Sequence, residues 1–316
     1  MTNKTAFVFP GQGSQTVGMC KGFYDNYPAA RHIFEEADEA LGFSMTDLIF
    51  SGPEDQLRLT FNTQPAILTA SVACYEVLKE NGLTCAMGGG HSLGEYSALV
   101  AAGAISFADA VKTVRKRGQF MQEAVPVGEG SMAAILGLTP EQIIEGCAKI
   151  EKETGKACQA VNFNCPGQVV IAGAVEPVNK AIEYFKAAGA RRCIPLAVSA
   201  PFHSTLMAPA AKRLAEVLDT VTFHDAAFPI VANVDAKPET KAEVIKDNLV
   251  KQADHPVLWE NSMHTMIEAG IDTFVEIGPG KVLCGFTKKI DKTKNGLNVE
   301  DAESLEKTLA YFKEVR

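Results

Sequence analysis

The sequence predicts an α/β protein with a mainly parallel sheet and a small second domain inserted within it, on three observations. Short apolar runs that read as buried strands, 5–9 and 273–277, are each followed at once by a glycine-bearing loop, Pro10-Gly11-Gln12-Gly13-Ser14-Gln15 and Gly278-Pro279-Gly280. A G-x-S-x-G pentapeptide, Gly90-His91-Ser92-Leu93-Gly94, separates an apolar small-residue run from a helix-like one. Between 127 and 198 the pattern changes to strand, helix, strand, strand, helix, strand.

The 316 residues are 47% hydrophobic, enough for a large core in one big domain or two unequal ones. A formal charge of -8 argues against a general nucleic-acid binder, which needs a basic face. Cys20, Cys74, Cys85, Cys147, Cys158, Cys165, Cys193 and Cys284 form no C-x-x-C pair, the scatter of a reduced chain. The apolar run 6–10 is too brief for a signal peptide or a membrane span. A soluble cytoplasmic protein is therefore expected, with no nucleic-acid or membrane partner.

Taken in order, strand 5–9 is followed by a mostly helical stretch from 17 to about 83, with breaks expected near Gly42, Gly52-Pro53 and Pro65. The apolar run 65–78 has helical spacing and is expected to pack under the sheet. Residues 84–88 supply a strand into the pentapeptide, and 93–102, rich in Leu, Ala and Glu, the helix after it. Phe107, Val111, Val114, Gly118, Met121 and Val125 recur every three or four positions and mark a helix over 107–124.

In the insert, strands at 132–138, 157–163, 168–173 and 192–198 alternate with helices at 140–154 and 177–188, a ferredoxin-like βαββαβ arrangement. This assigns 128–197 to a small domain, and 1–127 with 198–316 to a large α/β-hydrolase-like domain. The remainder reads as strands at 229–234 and 273–277 and helices near 241–251, 257–269, 281–290 and 301–315. The polar run 291–296 reads as an exposed connection.

The pentapeptide has the form of a nucleophile elbow, in which the serine occupies a strained strand-to-helix turn and flanking glycines avoid collision with neighbouring backbone. A glycine-rich turn that merely packs a strand on a helix has the same pattern. A serine nucleophile needs a base, an orienter for that base, and N–H donors for an oxyanion.

His203, after a strand and the proline-fixed turn Ser199-Ala200-Pro201-Phe202, is the leading base, with His255 a second candidate. His32, His224 and His264 lie in polar or helical contexts, and His91 is expected to point away from Ser92. The N–H of Leu93 is one oxyanion donor, and Gln12, in the loop after the first strand, has the right position for another. No Asp or Glu stands out as orienter, so a backbone carbonyl could hold the imidazole. Arg117 lies beside the apolar stripe of its helix, where an unpaired guanidinium is costly. An internal Asp or Glu and a ligand carboxylate both remain open as its partner.

The chain resembles, nearly end to end, the malonyl-CoA:acyl carrier protein transacylases of fatty acid synthesis, relatives of polyketide synthase acyltransferase domains. The likeness runs through Phe9-Pro10-Gly11-Gln12-Gly13-Ser14-Gln15, Gly90-His91-Ser92-Leu93-Gly94-Glu95, Arg117-Gly118, Met121-Gln122, Asn162-Phe163-Asn164, Pro166-Gly167-Gln168 and Glu276-Ile277-Gly278-Pro279-Gly280-Lys281. It implies ping-pong transfer with Ser92 as nucleophile, His203 as base, the backbone N–H groups of Gln12 and Leu93 as oxyanion hole, and Arg117 binding the malonyl carboxylate. It further implies that the carbonyl of Gln252 orients His203, and that His91, Met121, Asn162 and Phe202 line the pocket, Phe202 being the malonyl-selective form.

The resemblance implies no metal and no cofactor. Its partners are malonyl-CoA and, by transient electrostatic docking, an acidic acyl carrier protein, which an acidic enzyme must meet with a local basic patch; Lys116, Arg191, Lys281, Lys288 and Lys289 are candidates. A monomer is expected. A serine hydrolase or thioesterase would use Ser92 and His203 without needing Arg117, and a non-catalytic carrier-binding module would not need Ser92.

Overall fold

The computed structural model describes residues 4–198 and 200–314; Ser199 of the expected His203 turn and Val315 of the expected last helix lie outside them. Ten strands form in chain order among the described residues: β1 Thr5–Phe9, β2 Met87–Gly90, β3 Gly130–Leu136, β4 Cys158–Cys165, β5 Gln168–Ala174, β6 Arg192–Pro195, β7 Ile230–Val231, β8 Pro238–Glu239, β9 Thr273–Ile277 and β10 Asn295–Val299. Six of them make one sheet in the order β10-β9-β1-β2-β7-β8, parallel throughout except for the β7–β8 pair. The other four make an antiparallel sheet in the order β4-β5-β3-β6.

Central β1 is buried at every position, as its unbroken apolar run requires when both faces of a parallel sheet are covered. On one face Phe7 and Phe9 join Ile67, Leu68, Tyr96 and Val114; on the other Ala6 and Val8 meet Trp259, Met263 and Phe274. The four-stranded sheet buries Ile135 and Ile171 against Ile143 and Phe185 of helices Pro140–Thr154 and Val175–Ala187. Its opposite face packs Met132, Ala134 and Val170 with Met121, Val125 and Phe202. The segment at Val257 is stitched to β4 through the backbone, since Val257 N–H donates to Val161 O at 2.8 Å and Phe163 N–H to Val257 O at 2.9 Å. Among the described residues no helix is long and apolar enough to cross a membrane.

Several sequence expectations change. Pro65 does not end a helix: Thr60–Glu80 runs through it, and nearly all of that helix is buried. Proline lacks the N–H that would reach back to Phe61, and the Phe61 carbonyl instead lies 3.5 Å from Arg115 Nη1. The polar run at 291–296 is not wholly a connection, because β10 pairs parallel with β9 from Asn295. As an edge strand β10 is only partly buried before Val299, so the pattern in Asn-Gly-Leu-Asn-Val was too weak to read. The strand expected over 229–234 shortens to β7, and that over 192–198 to β6. The helix expected from Val257 starts at Trp259, because the Val257 backbone is used in the stitch to β4.

Candidate active site

At the carboxyl end of β2 the chain turns into helix Gly94–Ala101 through Ser92, whose φ of 51° is in the left-handed region. The turn is tight enough to exclude side chains on both flanks. A Cβ on Gly90 would stand 1.9 Å from Gly94 C, and one on Gly94 2.1 Å from Phe9 O. Ser92 is thereby held out at the sheet edge.

The Ser92 hydroxyl lies 2.7 Å from His203 Nε2, and His203 Nδ1 lies 2.8 Å from the carbonyl oxygen of Gln252. A carbonyl only accepts, so Nδ1 carries the proton and Nε2 is free to accept from the serine. Gln252 ends helix Ala242–Gln252, where last-turn carbonyls have no intrahelical partner and are available to an imidazole. Burial first, then the Arg117 charge, lowers the His203 pKa to about 3, so the ring is neutral at ordinary pH.

Arg117, from helix Phe107–Glu123, is 1% exposed. Its Nη1 donates to Gln64 Oε1 at 2.7 Å, and its Nη2 to Gln252 Oε1 at 2.9 Å and Ser92 Oγ at 3.2 Å. The cation also sits over the Tyr96 ring, 5.6 Å from its centroid. No carboxylate pairs with it directly among the described residues, and its buried Nε has no acceptor. The internal Asp or Glu considered from sequence is absent as a direct partner. Glu95 is connected only through the Gln252 amide, which donates to Glu95 Oε2 at 2.8 Å. Burial pushes the guanidinium pKa down, and the Tyr96 and Glu95 charges oppose that. The guanidinium is thus buried among neutral acceptors, with no carboxylate in direct contact among the described residues.

Residues 6–308 match the model of the acyl transferase domain family. The chain is 51% identical over 312 residues to the malonyl CoA-acyl carrier protein transacylase of Bacillus subtilis, covering 99% of this chain and 98% of that one. The chain belongs to the malonyl-CoA:acyl carrier protein transacylase family. Among solved structures, an acyl carrier protein S-malonyltransferase from Vibrio cholerae is 47% identical with a TM-score of 0.94, covering 97% of this chain and 100% of that one. A malonyl-transacylase solved in complex with its type II PKS acyl-carrier protein is 46% identical with a TM-score of 0.95, covering 98% and 100%.

In this acyltransferase Gln12, His91, Leu93, Met121, Asn162 and Phe202 all line the cleft that contains Ser92, Arg117 and His203. Neither the Gln12 nor the Leu93 backbone N–H donates to a protein acceptor among the described residues. His91 lines the cleft, and its ring nitrogen Nε2 is engaged by Asn164 Oδ1 at 2.8 Å rather than by Ser92. His255 is not a second base for Ser92, because its exposed ring meets Asp254 Oδ1 at 2.7 Å and Lys251 O at 2.9 Å. Lys116, Arg191, Lys281, Lys288 and Lys289 are exposed, and none forms an ion pair with a described residue.

Sequence reasoning passed over Asn233. It lies just beyond β7, fully buried, and its Oδ1 accepts from the Ser92 N–H at 2.7 Å. The available signal was a polar side chain directly after the apolar run Ile230-Val231-Ala232, at the carboxyl end of a strand in an α/β sheet, where ligand sites gather.

Proposed function

We propose that the enzyme moves the malonyl group of malonyl-CoA to the phosphopantetheine thiol of acyl carrier protein, in fatty acid synthesis, through a malonyl ester on Ser92. The observation that carries this reading is the buried Arg117 guanidinium, 3.2 Å from Ser92 Oγ and without a direct carboxylate partner among the described residues. A planar fork grips a carboxylate with parallel charge-assisted hydrogen bonds. A free carboxylate close behind the reacting carbonyl is what distinguishes malonyl from acetyl.

Ser92 Oγ attacks the thioester carbonyl as neutral His203 takes its proton at Nε2. The oxyanion accepts from the N–H groups of Gln12 and Leu93. As it collapses, the C–S bond breaks and imidazolium returns the proton to the departing CoA sulfur. The carrier-protein thiol then gives its proton to His203 and attacks the malonyl ester, and Ser92 leaves with that proton. A carbonyl from Gln252 holds the ring in the tautomer both halves require, with no carboxylate in the triad. Met121, Asn162 and Phe202 shape the acyl pocket, and His91 with Asn164 buttresses its wall.

The exposed, unpaired Lys116, Arg191, Lys281, Lys288 and Lys289 support transient docking of an acidic carrier protein. All the reacting groups come from one chain, so a monomer suffices, and thiol substrates with eight free cysteines suit the reducing cytoplasm. The strand order β4-β5-β3-β6 with two helices on one face supports a ferredoxin-like domain over 128–197, set into an α/β-hydrolase-like domain of 1–127 and 198–316.

Intact-mass analysis after mixing with malonyl-CoA should find one malonyl group, on Ser92, that moves to added holo carrier protein. Release of free malonate without transfer would identify a thioesterase instead. Carrier binding with no adduct would identify a non-catalytic module.

A further inference from the structure

Ser92 adopts a left-handed backbone conformation, φ 51°, that is strained for a non-glycine residue. Something must hold it, and one side chain spans the turn. Asn233 accepts from the Ser92 N–H at 2.7 Å through Oδ1 and donates from Nδ2 to Gly90 O at 2.8 Å. The two partners fix the amide orientation, since one only donates and the other only accepts.

Asn233 is itself anchored, its backbone N–H donating to Glu95 Oε2 at 3.1 Å. The same Oε2 accepts from Gln252 Nε2 at 2.8 Å, and that nitrogen also donates to Ser92 O at 2.8 Å. Gln252 then presents its carbonyl to His203 and its Oε1 to Arg117. One buried carboxylate, 3% exposed, thus joins the residue that brackets the serine turn to the residue that orients the base. Burial pushes that carboxyl up to about 7. Both donors nevertheless meet Oε2, which accepts whether or not Oε1 carries a proton.

We infer that Asn233 and Glu95 are positioning residues that set Ser92 and His203 at transfer distance, Asn233 by bracketing the Ser92 turn and Glu95 by accepting from both Asn233 and Gln252. The inference rests on Ser92 being the acylated residue. Neither side chain touches the acyl group; each acts through another residue. A misplacement of about 1 Å between reacting groups is enough to lower a rate on the order of 100-fold.

The test compares wild type with Asn233→Ala, Glu95→Ala and Glu95→Gln. It measures kcat and KM for Ser92 malonylation, the rate of Ser92 labelling by a fluorophosphonate, which reads serine reactivity without using Arg117, and thermal unfolding. Folded Asn233→Ala should load malonyl on the order of 10- to 100-fold more slowly, with KM for malonyl-CoA little changed and fluorophosphonate labelling slowed in parallel. Glu95→Ala should behave likewise, and Glu95→Gln, which keeps an oxygen for both donors, should recover most of the lost rate.

Wild-type kcat and labelling rate in folded Asn233→Ala would overturn the Asn233 role, even with a lowered Tm. If Asn233→Ala does not fold, equal rates in Glu95→Ala and wild type overturn the inference. A wild-type protein that neither takes up malonyl nor labels at Ser92 would instead overturn the proposed function.

Discussion

Arg117 Nη2 stands within hydrogen-bond distance of Ser92 Oγ, at 3.2 Å, so the cation and the hydroxyl share one small space on the cleft floor. A carboxylate close behind an ester carbonyl on Ser92 would lie within reach of that cation. Arg117→Ala should lower malonyl loading on the order of 30-fold to a few thousand-fold, because a buried carboxylate would lose its partner. Acetyl loading should hold or rise. Stopped-flow or quenched loading with both CoA esters decides it, and equal loss on the two would remove Arg117 from acyl recognition.

Burial and the Arg117 charge both disfavour the protonated His203 ring, so its pKa falls well below the ordinary 6.5, to about 3. The base is lost only when pH drops through that lowered value. The acid limb of kcat/KM for loading should therefore lie below pH 5. Arg117→Met removes a positive neighbour and should move the limb upward, towards 6.5. A wild-type limb centred at or above 6.5 would contradict the assignment of His203 as a buried neutral base.

Phe202 lies on the cleft wall and packs into the cluster that includes Met121 and Met132. Replacing it by serine makes room for a methyl branch beside the ester. Phe202→Ser should raise methylmalonyl-CoA loading relative to malonyl-CoA by about 10-fold, worth roughly 1.4 kcal/mol. Truncating a buried phenyl should also cost about 3 kcal/mol of stability. Competition between the two CoA esters gives the ratio, and denaturant unfolding gives the cost.

The elbow leaves no room for a side chain at position 94, where a Cβ would lie 2.1 Å from Phe9 O and 2.8 Å from Phe9 C. Strand β1 and the helix cannot both keep their places. Gly94→Ala should destabilise by at least about 3 kcal/mol and slow Ser92 loading in whatever protein still folds. Unchanged Tm and activity would show that the turn is looser than its geometry.

Lys288 and Lys289 close helix Val282–Ile290, exposed and unpaired. Reversing both to Glu should raise the KM for carrier protein by about 10-fold at low salt, an effect that added salt reduces. Malonyl-CoA loading of Ser92 should be unaffected. An unchanged carrier KM would take this helix out of the docking surface.

How much of this could be read in advance varied with the range of the interaction. The elbow was legible because its constraint is local: Gly90 and Gly94 are close in sequence to the serine they free, and the strand-to-helix change surrounds them. Ser92 was legible as a strand-end residue, whereas His203 follows a strand that stops at Pro195, and the 2.7 Å between them spans 111 positions of sequence. Pro65 misled, because a proline early in a long buried helix is tolerated when neighbouring side chains take up the freed carbonyl. Strand β10 was missed because an edge position asks little of its sequence.

Motif spacing by itself determined the α/β class, the serine elbow, and the candidacy of His203, Gln12 and Arg117. Those features are written in short stretches whose residue types have local steric or chemical reasons. The tertiary structure decided whose charge Arg117 lacks, which face His91 takes, and how Asn233 and Glu95 join the serine turn to the base. Each of those depends on groups brought together from distant strand and helix ends, where burial makes an unpaired donor costly and so selects one arrangement of partners.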